Sequence, residues 1–457
     1  MKKFICILLT ILISTSLIYT SVYATEGSRT KAPTTPSTEE NSSETTDKTA
    51  DETPLPESPI PTGPDIKGEA AFLINPSTGV IIYEKNANQR MYPASTTKIM
   101  TAYLALIHLD LNSQNTASAD AVNIDRDGSN MGLSQGEILT TRQLIDSLII
   151  HSANDAANVL AEAVSGSIPE FVKLMNQTAN DLGMTETHFA NPHGYHAEDH
   201  YTTARDMAIL ASKAMENETF AEMVGMKRLT IPPTNKYSEE RIFSTRNALI
   251  NPYSDMSLQY RFASGIKTGH TNAAGYCFVG SATLPGTNGN NMDLISVVFK
   301  STSYERAFMD TKNLFEYARS NYRIKTVKKG DDLASTCSVK WARGKNHLIL
   351  KTNSDVKTLL PSINYSDELL KTEISVKDNI VAPIEKGAEL GTIKVFYDGK
   401  LVAESKLYAS RSVSRNYFKQ FLSYLLNPWT LSFLGIVVVS LVLLKIRETG
   451  RKKRKAK

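Results

Sequence analysis

Cysteine and tryptophan are scarce, with 3 and 2 residues respectively among the 457 of the chain. Cys6 lies inside an apolar N-terminal run rather than at its end, which argues against lipoprotein processing. Cys277 and Cys337 remain, and they fall in segments that we predict to be different domains. Secretion would permit a disulfide, but this placement favours two free, inert thiols.

The chain also lacks a strong charge of either sign. Its net charge is +4 at pH 7, and the segment from Lys445 onward alone carries eight basic residues and one acidic residue. Because that short tail accounts for the positive balance, the charge gives no reason to expect a nucleic-acid partner.

Large apolar side chains are nearly absent from residues 25–65, which are rich in Thr, Ser, Pro and Glu. Such a composition cannot bury enough surface to offset chain entropy, so we predict a disordered linker there. The preceding residues 1–24 begin with two lysines, continue as an apolar run and end in small residues at Ala24. This pattern predicts a secretory signal peptide.

The hexapeptide Pro93-Ala94-Ser95-Thr96-Thr97-Lys98 precedes an apolar run and predicts the start of a buried helix. Ser95 and Lys98, three residues apart, should share one face of it. A serine hydroxyl needs a nearby base to become a nucleophile, and burial or a second cation can lower a lysine pKa enough for that role. Alone, Ser-x-x-Lys is common and could be a surface pair.

Two further clusters follow. Ser152 and Asn154 fall on a bend between two predicted helices, where they could face a cleft, although taken alone they are explained better by helix capping. Lys267-Thr268-Gly269 opens a series of antiparallel strands. Because Gly269 has no side chain, another backbone could approach this strand closely, and a peptide could bind there as an added strand. Lys267 and Thr268 would then be available to the carboxylate of that peptide.

In this order the three clusters form the signature of penicillin-binding proteins and class A β-lactamases. The chain resembles most closely the low-molecular-mass penicillin-binding proteins, the serine-type D-Ala-D-Ala carboxypeptidases, over roughly residues 65–410. The resemblance implies an α+β fold. A β-lactamase/transpeptidase-like catalytic domain (66–325), with an antiparallel sheet, helices on both faces and a helical subdomain, would precede a small all-β domain (326–410).

The resemblance also implies a role for each site residue. Ser95 would attack the bond between two D-alanines of a peptidoglycan stem peptide, with Lys98 as the base and Ser152 relaying the proton to the leaving amine. Asn154 would hold the substrate amide, and the backbone N–H groups of Ser95 and His270 would hold the oxyanion. The substrate-binding set that it implies is Asn154, Lys267, Thr268, Gly269, His270 and Arg246.

β-Lactam antibiotics should acylate the same serine. Because the Glu-x-x-Leu-Asn loop of class A β-lactamases has no good counterpart here, we expect a long-lived adduct rather than efficient hydrolysis. His193, His196 and His200, with neighbouring acidic residues, raise the alternative of a metal site. A polar loop explains them better, and we expect neither a metal nor a cofactor.

The C-terminal end predicts membrane attachment. Residues 411–427 have the spacing of an amphipathic juxtamembrane helix, residues 428–446 are apolar enough to span a bilayer, and the basic residues 447–457 should stay in the cytoplasm. The catalytic domain would then be extracellular on a single-pass protein.

Two rival functions stay open at this point. One keeps the enzyme class but changes the bond or acceptor, as in a transpeptidase, an endopeptidase or a β-lactamase. The other is a non-enzymatic β-lactam sensor or wall-binding protein. The complete set of catalytic side chains and the short tail after Leu444 argue against the second.

Overall fold

The computed structural model describes residues 63–124, 128–286, 290–330 and 332–455. The chain divides into two units, Met1–Glu57 and Ser58–Lys457, and all of the described residues belong to the second. The predicted signal peptide and nearly all of the predicted linker lie outside the described residues.

The catalytic region is built on a five-stranded antiparallel sheet with the strand order β2-β1-β9-β8-β7. Its first pair of strands is a hairpin around Pro76–Gly79, which the turn sequence Pro-Ser-Thr-Gly between two short apolar runs predicts. Smaller two-stranded sheets pair β3 with β4 and β5 with β6. The strands are Ala70–Asn75 (β1), Val80–Lys85 (β2), Gln114–Thr116 (β3), Ile138–Thr140 (β4), Arg228–Ile231 (β5), Arg241–Ser244 (β6), Ala263–Thr271 (β7), Gly275–Leu284 (β8) and Met292–Ser301 (β9).

The helices of this region are Lys98–His108 (α1), Ala119–Val122 (α2), Thr141–Ile150 (α3), Asn154–Ser165 (α4), Ile168–Asp181 (α5), Ala204–Met215 (α6), Glu218–Val224 (α7) and Tyr304–Asn321 (α8). Their ends follow local chemistry. Thr140 caps α3 in a capping box with Gln143, and Gly166 ends α4 in a left-handed conformation.

Successive side chains of the central strands point to opposite faces of the sheet, so the hydrophobic core has two parts, one on each face. In β1, Ala70 and Phe72 face the core formed with α1 and α3–α7, whereas Ala71 and Leu73 face the core formed with α8. Helices therefore cover both faces, as predicted. The arrangement places α1, α4 and β7 around one opening at the edge of the sheet.

A second, sheet-rich region follows α8. A five-stranded sheet has the order β11-β12-β16-β15-β14, while β10 pairs with β13. Asp398 and Gly399, both with positive φ, form the tight turn between β15 and β16, as the Asp-Gly pair predicts. The strands are Tyr322–Lys328 (β10), Ser335–Ser338 (β11), His347–Lys351 (β12), Val356–Pro361 (β13), Leu370–Val376 (β14), Glu389–Tyr397 (β15) and Lys400–Ala409 (β16).

Two helices end the described chain, Tyr417–Leu425 (α9) and Pro428–Lys455 (α10). Within α10, residues Pro428–Arg451 are long and apolar enough to cross a membrane, with a mean hydropathy of 2.2. Both Cys277 and Cys337 are free thiols, as expected from their separation.

Candidate active site

The predicted nucleophile lies on a tight turn in front of α1. The sequence predicted a single helix beginning at Pro93, but Ala94–Thr97 form a 3₁₀ turn before α1 begins at Lys98. Residues three apart nearly eclipse each other in such a turn. The Lys98 Nζ lies 3.0 Å from the Ser95 Oγ and 2.5 Å from the His193 carbonyl oxygen.

Lys98 is fully buried, with 0 % of its surface exposed. Burial is the main cause that lowers its pKa well below the ordinary value, and the charges of Lys267 and Arg246 lower it further. Burial likewise lowers the pKa of Lys267 to about 7, with Arg246 as the second cause. Burial and a nearby second cation, here Lys267, thus both favour an uncharged Lys98 amine.

The second cluster occupies the bend between α3 and α4. Ser152 is buried there with φ +68°. Residues other than glycine rarely adopt this left-handed conformation unless the surrounding structure holds them in it. The N-cap of α4 is Ala153, which makes no side-chain capping bond, and Asn154 is the first helical residue. The capping interpretation of Ser152 and Asn154 is therefore wrong.

The third cluster lies on β7, which packs against the nucleophile turn. A Cβ atom added to Gly269 would lie 3.0 Å from the Pro93 carbonyl oxygen and from the backbone nitrogens of Ser95 and Thr96. The backbone that approaches this glycine is thus the chain's own turn. The glycine lets β7 sit directly against Ser95, and β7 is the edge strand of its sheet, so the binding of a peptide as an added strand there stays a prediction.

These elements enclose a cavity of about 670 Å³. It brings most of the predicted site residues together, while Lys98, Lys267 and Gly269 are buried. The residues that line the cavity are Ser95, Gly128, Ser129, Ser152, Asn154, Gly194, Tyr195, His196, Arg246, Thr268, His270, Thr271, Asn272, Ala273 and Tyr304.

One wall depends on Asp155, a residue that the sequence analysis did not single out. Its buried carboxylate accepts hydrogen bonds from the backbone nitrogens of Met131, Gly132 and Leu133 at 2.9–3.0 Å. This fixes the segment that carries Ser129, whose hydroxyl accepts a hydrogen bond from Arg246 at 2.9 Å. An acidic residue directly after Asn154 at a helix start was the available signal.

Tyr304, the first residue of α8, was also missed. Its ring meets Tyr276 edge-on at 4.8 Å and lies 6.3 Å from the His270 ring. Burial raises the pKa of the Tyr304 phenol to about 12, against smaller opposing effects of Arg246 and Thr268. The phenol therefore keeps its proton at neutral pH and adds a neutral donor to the cavity wall.

The histidine-rich segment is part of the packing around the nucleophile. The His200 Nε2 lies 2.8 Å from the Thr97 Oγ1, and the His196 ring packs edge-on against Tyr92 at 4.7 Å. Burial lowers the pKa values of both His193 and His200 to about 3. Across the described ranges, no group of three or more His, Cys, Asp or Glu residues is arranged to hold a metal ion.

Comparison with known proteins identifies the family. Residues 57–303 match the family model of D-alanyl-D-alanine carboxypeptidases, and residues 323–415 match that of the C-terminal domain of penicillin-binding protein 5. The chain belongs to the D-alanyl-D-alanine carboxypeptidase family. Both the predicted family and the predicted two-part fold are confirmed.

Individual relatives agree with this assignment. The D-alanyl-D-alanine carboxypeptidase DacF of Bacillus subtilis is 36% identical over 372 residues, which cover 80% of this chain and 90% of the relative. The crystal structure of penicillin-binding protein 5 from Haemophilus influenzae is 30% identical, with a TM-score of 0.65 over 78% of this chain and 99% of that chain.

A third relative matches the catalytic part alone. The Streptomyces K15 DD-transpeptidase structure is 32% identical, with a TM-score of 0.51 over 56% of this chain and 98% of that chain. The protein is thus a serine-type D-Ala-D-Ala carboxypeptidase. Acyl-enzyme formation on serine and binding of β-lactams are general to its family.

Proposed function

We propose that Ser95 is the nucleophile of this carboxypeptidase and Lys98 its general base. The observation that carries the proposal is the 3.0 Å approach of the Lys98 Nζ to the Ser95 Oγ, made by an amine whose pKa is strongly lowered. A neutral amine at this distance can accept the hydroxyl proton as the Ser95 oxygen attacks the carbonyl carbon between the two D-alanines.

The remaining steps use the cavity wall. Ser152 passes the proton to the nitrogen of the departing D-alanine, and Asn154 holds the amide of the acyl part of the stem peptide. The backbone N–H groups of Ser95 and His270 stabilise the oxyanion, an interaction typically worth about 3 kcal/mol for each donor. Water then hydrolyses the ester and releases the shortened peptide.

Two cations, Lys267 and Arg246, and the hydroxyl of Thr268 recognise the terminal carboxylate of the substrate. Both Thr268 and Arg246 line the cavity that also contains Ser95. The Lys267 Nζ donates to the Thr268 carbonyl oxygen at 3.0 Å, so its charge lies next to that wall. β-Lactams carry a carboxylate in a similar position relative to their reactive carbonyl and acylate the same serine.

Labelling by a β-lactam tests the nucleophile. Intact-protein mass spectrometry should show one benzylpenicillin adduct per chain, and peptide mapping should locate it on Ser95. Ser95→Ala should form none, whereas Ser129→Ala, which removes another hydroxyl of the same cavity, should still be labelled. An adduct that persists in Ser95→Ala would show that the nucleophile is elsewhere.

We also propose that α10 anchors the protein as a single transmembrane helix, with the catalytic domain extracellular and the tail cytoplasmic. Two features support this orientation. The apolar stretch of α10 ends in a run of basic residues, which favour the cytoplasmic side, and α9 before it leaves Tyr417, Phe418 and Phe421 exposed.

A further inference from the structure

The residue in front of the nucleophile is held in an unusual conformation. Ala94 has φ +48°, in the left-handed region that residues with a Cβ atom rarely adopt. Its carbonyl oxygen accepts a hydrogen bond from the Thr97 Oγ1 at 2.8 Å. Gly194 packs on the same carbonyl so closely that an added Cβ atom would lie 1.9 Å from the oxygen. The start of the Ser95 turn is therefore fixed from two directions.

A chain of hydrogen bonds extends from this carbonyl to a second segment. Because Thr97 gives its only hydroxyl proton to Ala94, the proton between Thr97 and His200 at 2.8 Å belongs to the His200 Nε2. On the other side of the ring, the His200 Nδ1 accepts from the Ala190 backbone nitrogen at 3.1 Å. The contacts define one neutral tautomer, which agrees with a pKa lowered to about 3 by burial.

The two segments joined in this way carry the two neighbours of the Lys98 amine. One is the Ser95 hydroxyl, and the other is the His193 carbonyl, which follows Ala190 by three residues and accepts from the Lys98 Nζ. A neutral amine has two N–H bonds and one lone pair. When the His193 carbonyl accepts one N–H, the lone pair can be directed at the Ser95 proton.

We propose that Thr97 and His200 are positioning residues for acylation. Their hydrogen-bond chain holds the Ser95 turn against the His193 segment and so sets the direction of the Lys98 lone pair. This inference rests on the proposed roles of Ser95 and Lys98. Neither Thr97 nor His200 lines the cavity of about 670 Å³, so their loss should affect the rate of the chemical step rather than ligand binding.

The test separates binding of benzylpenicillin from acylation by rapid-mixing kinetics. Thr97→Val keeps the side-chain shape and removes both hydrogen bonds. We expect its first-order acylation rate to fall about 10- to 100-fold while the dissociation constant of the noncovalent complex changes less than about threefold. Thr97→Ser restores the hydroxyl and should acylate within about threefold of the wild-type rate.

His200 provides an independent pair of variants. His200→Gln can still donate to Thr97, whereas His200→Phe keeps an aromatic ring and loses both hydrogen bonds, so the Gln variant should acylate faster. His108→Ala, which changes an exposed histidine at the far end of α1, should match the wild type. Melting temperatures measured in parallel show whether any variant is only less stable.

Several results would overturn the inference. These are a wild-type acylation rate in Thr97→Val, equal losses in the Val and Ser variants, or equal rates in His200→Gln and His200→Phe. A Thr97→Val protein that does not fold leaves the decision to the two His200 variants. Failure of the proposed nucleophile would look different, since Ser95→Ala would then keep its adduct whatever the Thr97 variants do.

Discussion

At the scale of single residues, the two buried lysines have opposite requirements. Lys98 must be neutral to accept a proton, and its pKa is lowered well below the ordinary value. Lys267 must be charged to bind a carboxylate, and its pKa in the free enzyme is about 7. If the two lysines have the proposed roles, activity should therefore rise with pH as Lys98 loses its proton and fall as pH passes through the pKa of Lys267.

Lys267→Arg tests whether Lys267 binds the substrate carboxylate while Lys98 accepts the proton. Arginine stays protonated, so kcat/KM for a D-Ala-D-Ala peptide should lose its basic limb, although the bulkier group should lower the maximum. In the wild type, kcat/KM should fall about 50-fold between pH 7, where Lys267 is half protonated, and pH 9. Lys173→Arg, an exposed control, should keep the wild-type profile. An unchanged basic limb in Lys267→Arg would remove Lys267 from carboxylate recognition.

The three motif clusters were readable from sequence because their chemistry depends on side-chain type and short spacing. The His193 carbonyl could not be found in this way, since any residue supplies the same atom. Thr97 and His200 are 103 positions apart, and their contact depends on how the loop before α6 packs on the Ser95 turn. Asp155 and Tyr304 can be read in the sequence, but their roles become apparent only from their burial and their contacts in the structure.

At the scale of elements, local patterns predicted the first hairpin, the α3–α4 bend and the β15–β16 turn. The 3₁₀ turn at Ala94–Thr97 was not predicted, because a proline before an apolar run is equally typical of an ordinary helix start. That difference matters for function. The turn brings the backbone nitrogen of Ser95 against Gly269 of β7, which places two elements side by side at the nucleophile.

The segment that follows residue 128 should depend on Asp155. Asp155→Ala leaves the backbone N–H groups of Met131, Gly132 and Leu133 without their acceptor, which we expect to lower the free energy of unfolding by about 2–4 kcal/mol. Thermal and urea denaturation measure the change. Asp181→Asn, an exposed control with the same loss of charge, should change stability by less than about 0.5 kcal/mol. Similar stability of the two variants would contradict the role given to Asp155.

At the scale of the whole molecule, the family assignment describes a cell-wall enzyme, and we propose that α10 attaches it to the membrane at its C-terminus. Protease added to protoplasts should digest the catalytic domain and spare an epitope placed after Lys457. Truncation before Asn427 should release an active enzyme that keeps some affinity for membranes through α9. Digestion of both the catalytic domain and the epitope would contradict the proposed single-pass topology.

Ser95, activated by Lys98, is proposed to remove the terminal D-alanine from a stem peptide. The most direct measurement is the D-alanine released by the truncated enzyme from a D-Ala-D-Ala-ended peptide, compared with Ser95→Ala and Lys98→Ala. We expect one D-alanine per peptide from the wild type and at least about a thousandfold slower release from either variant. D-Alanine release by Ser95→Ala at a rate near that of the wild type would contradict the account.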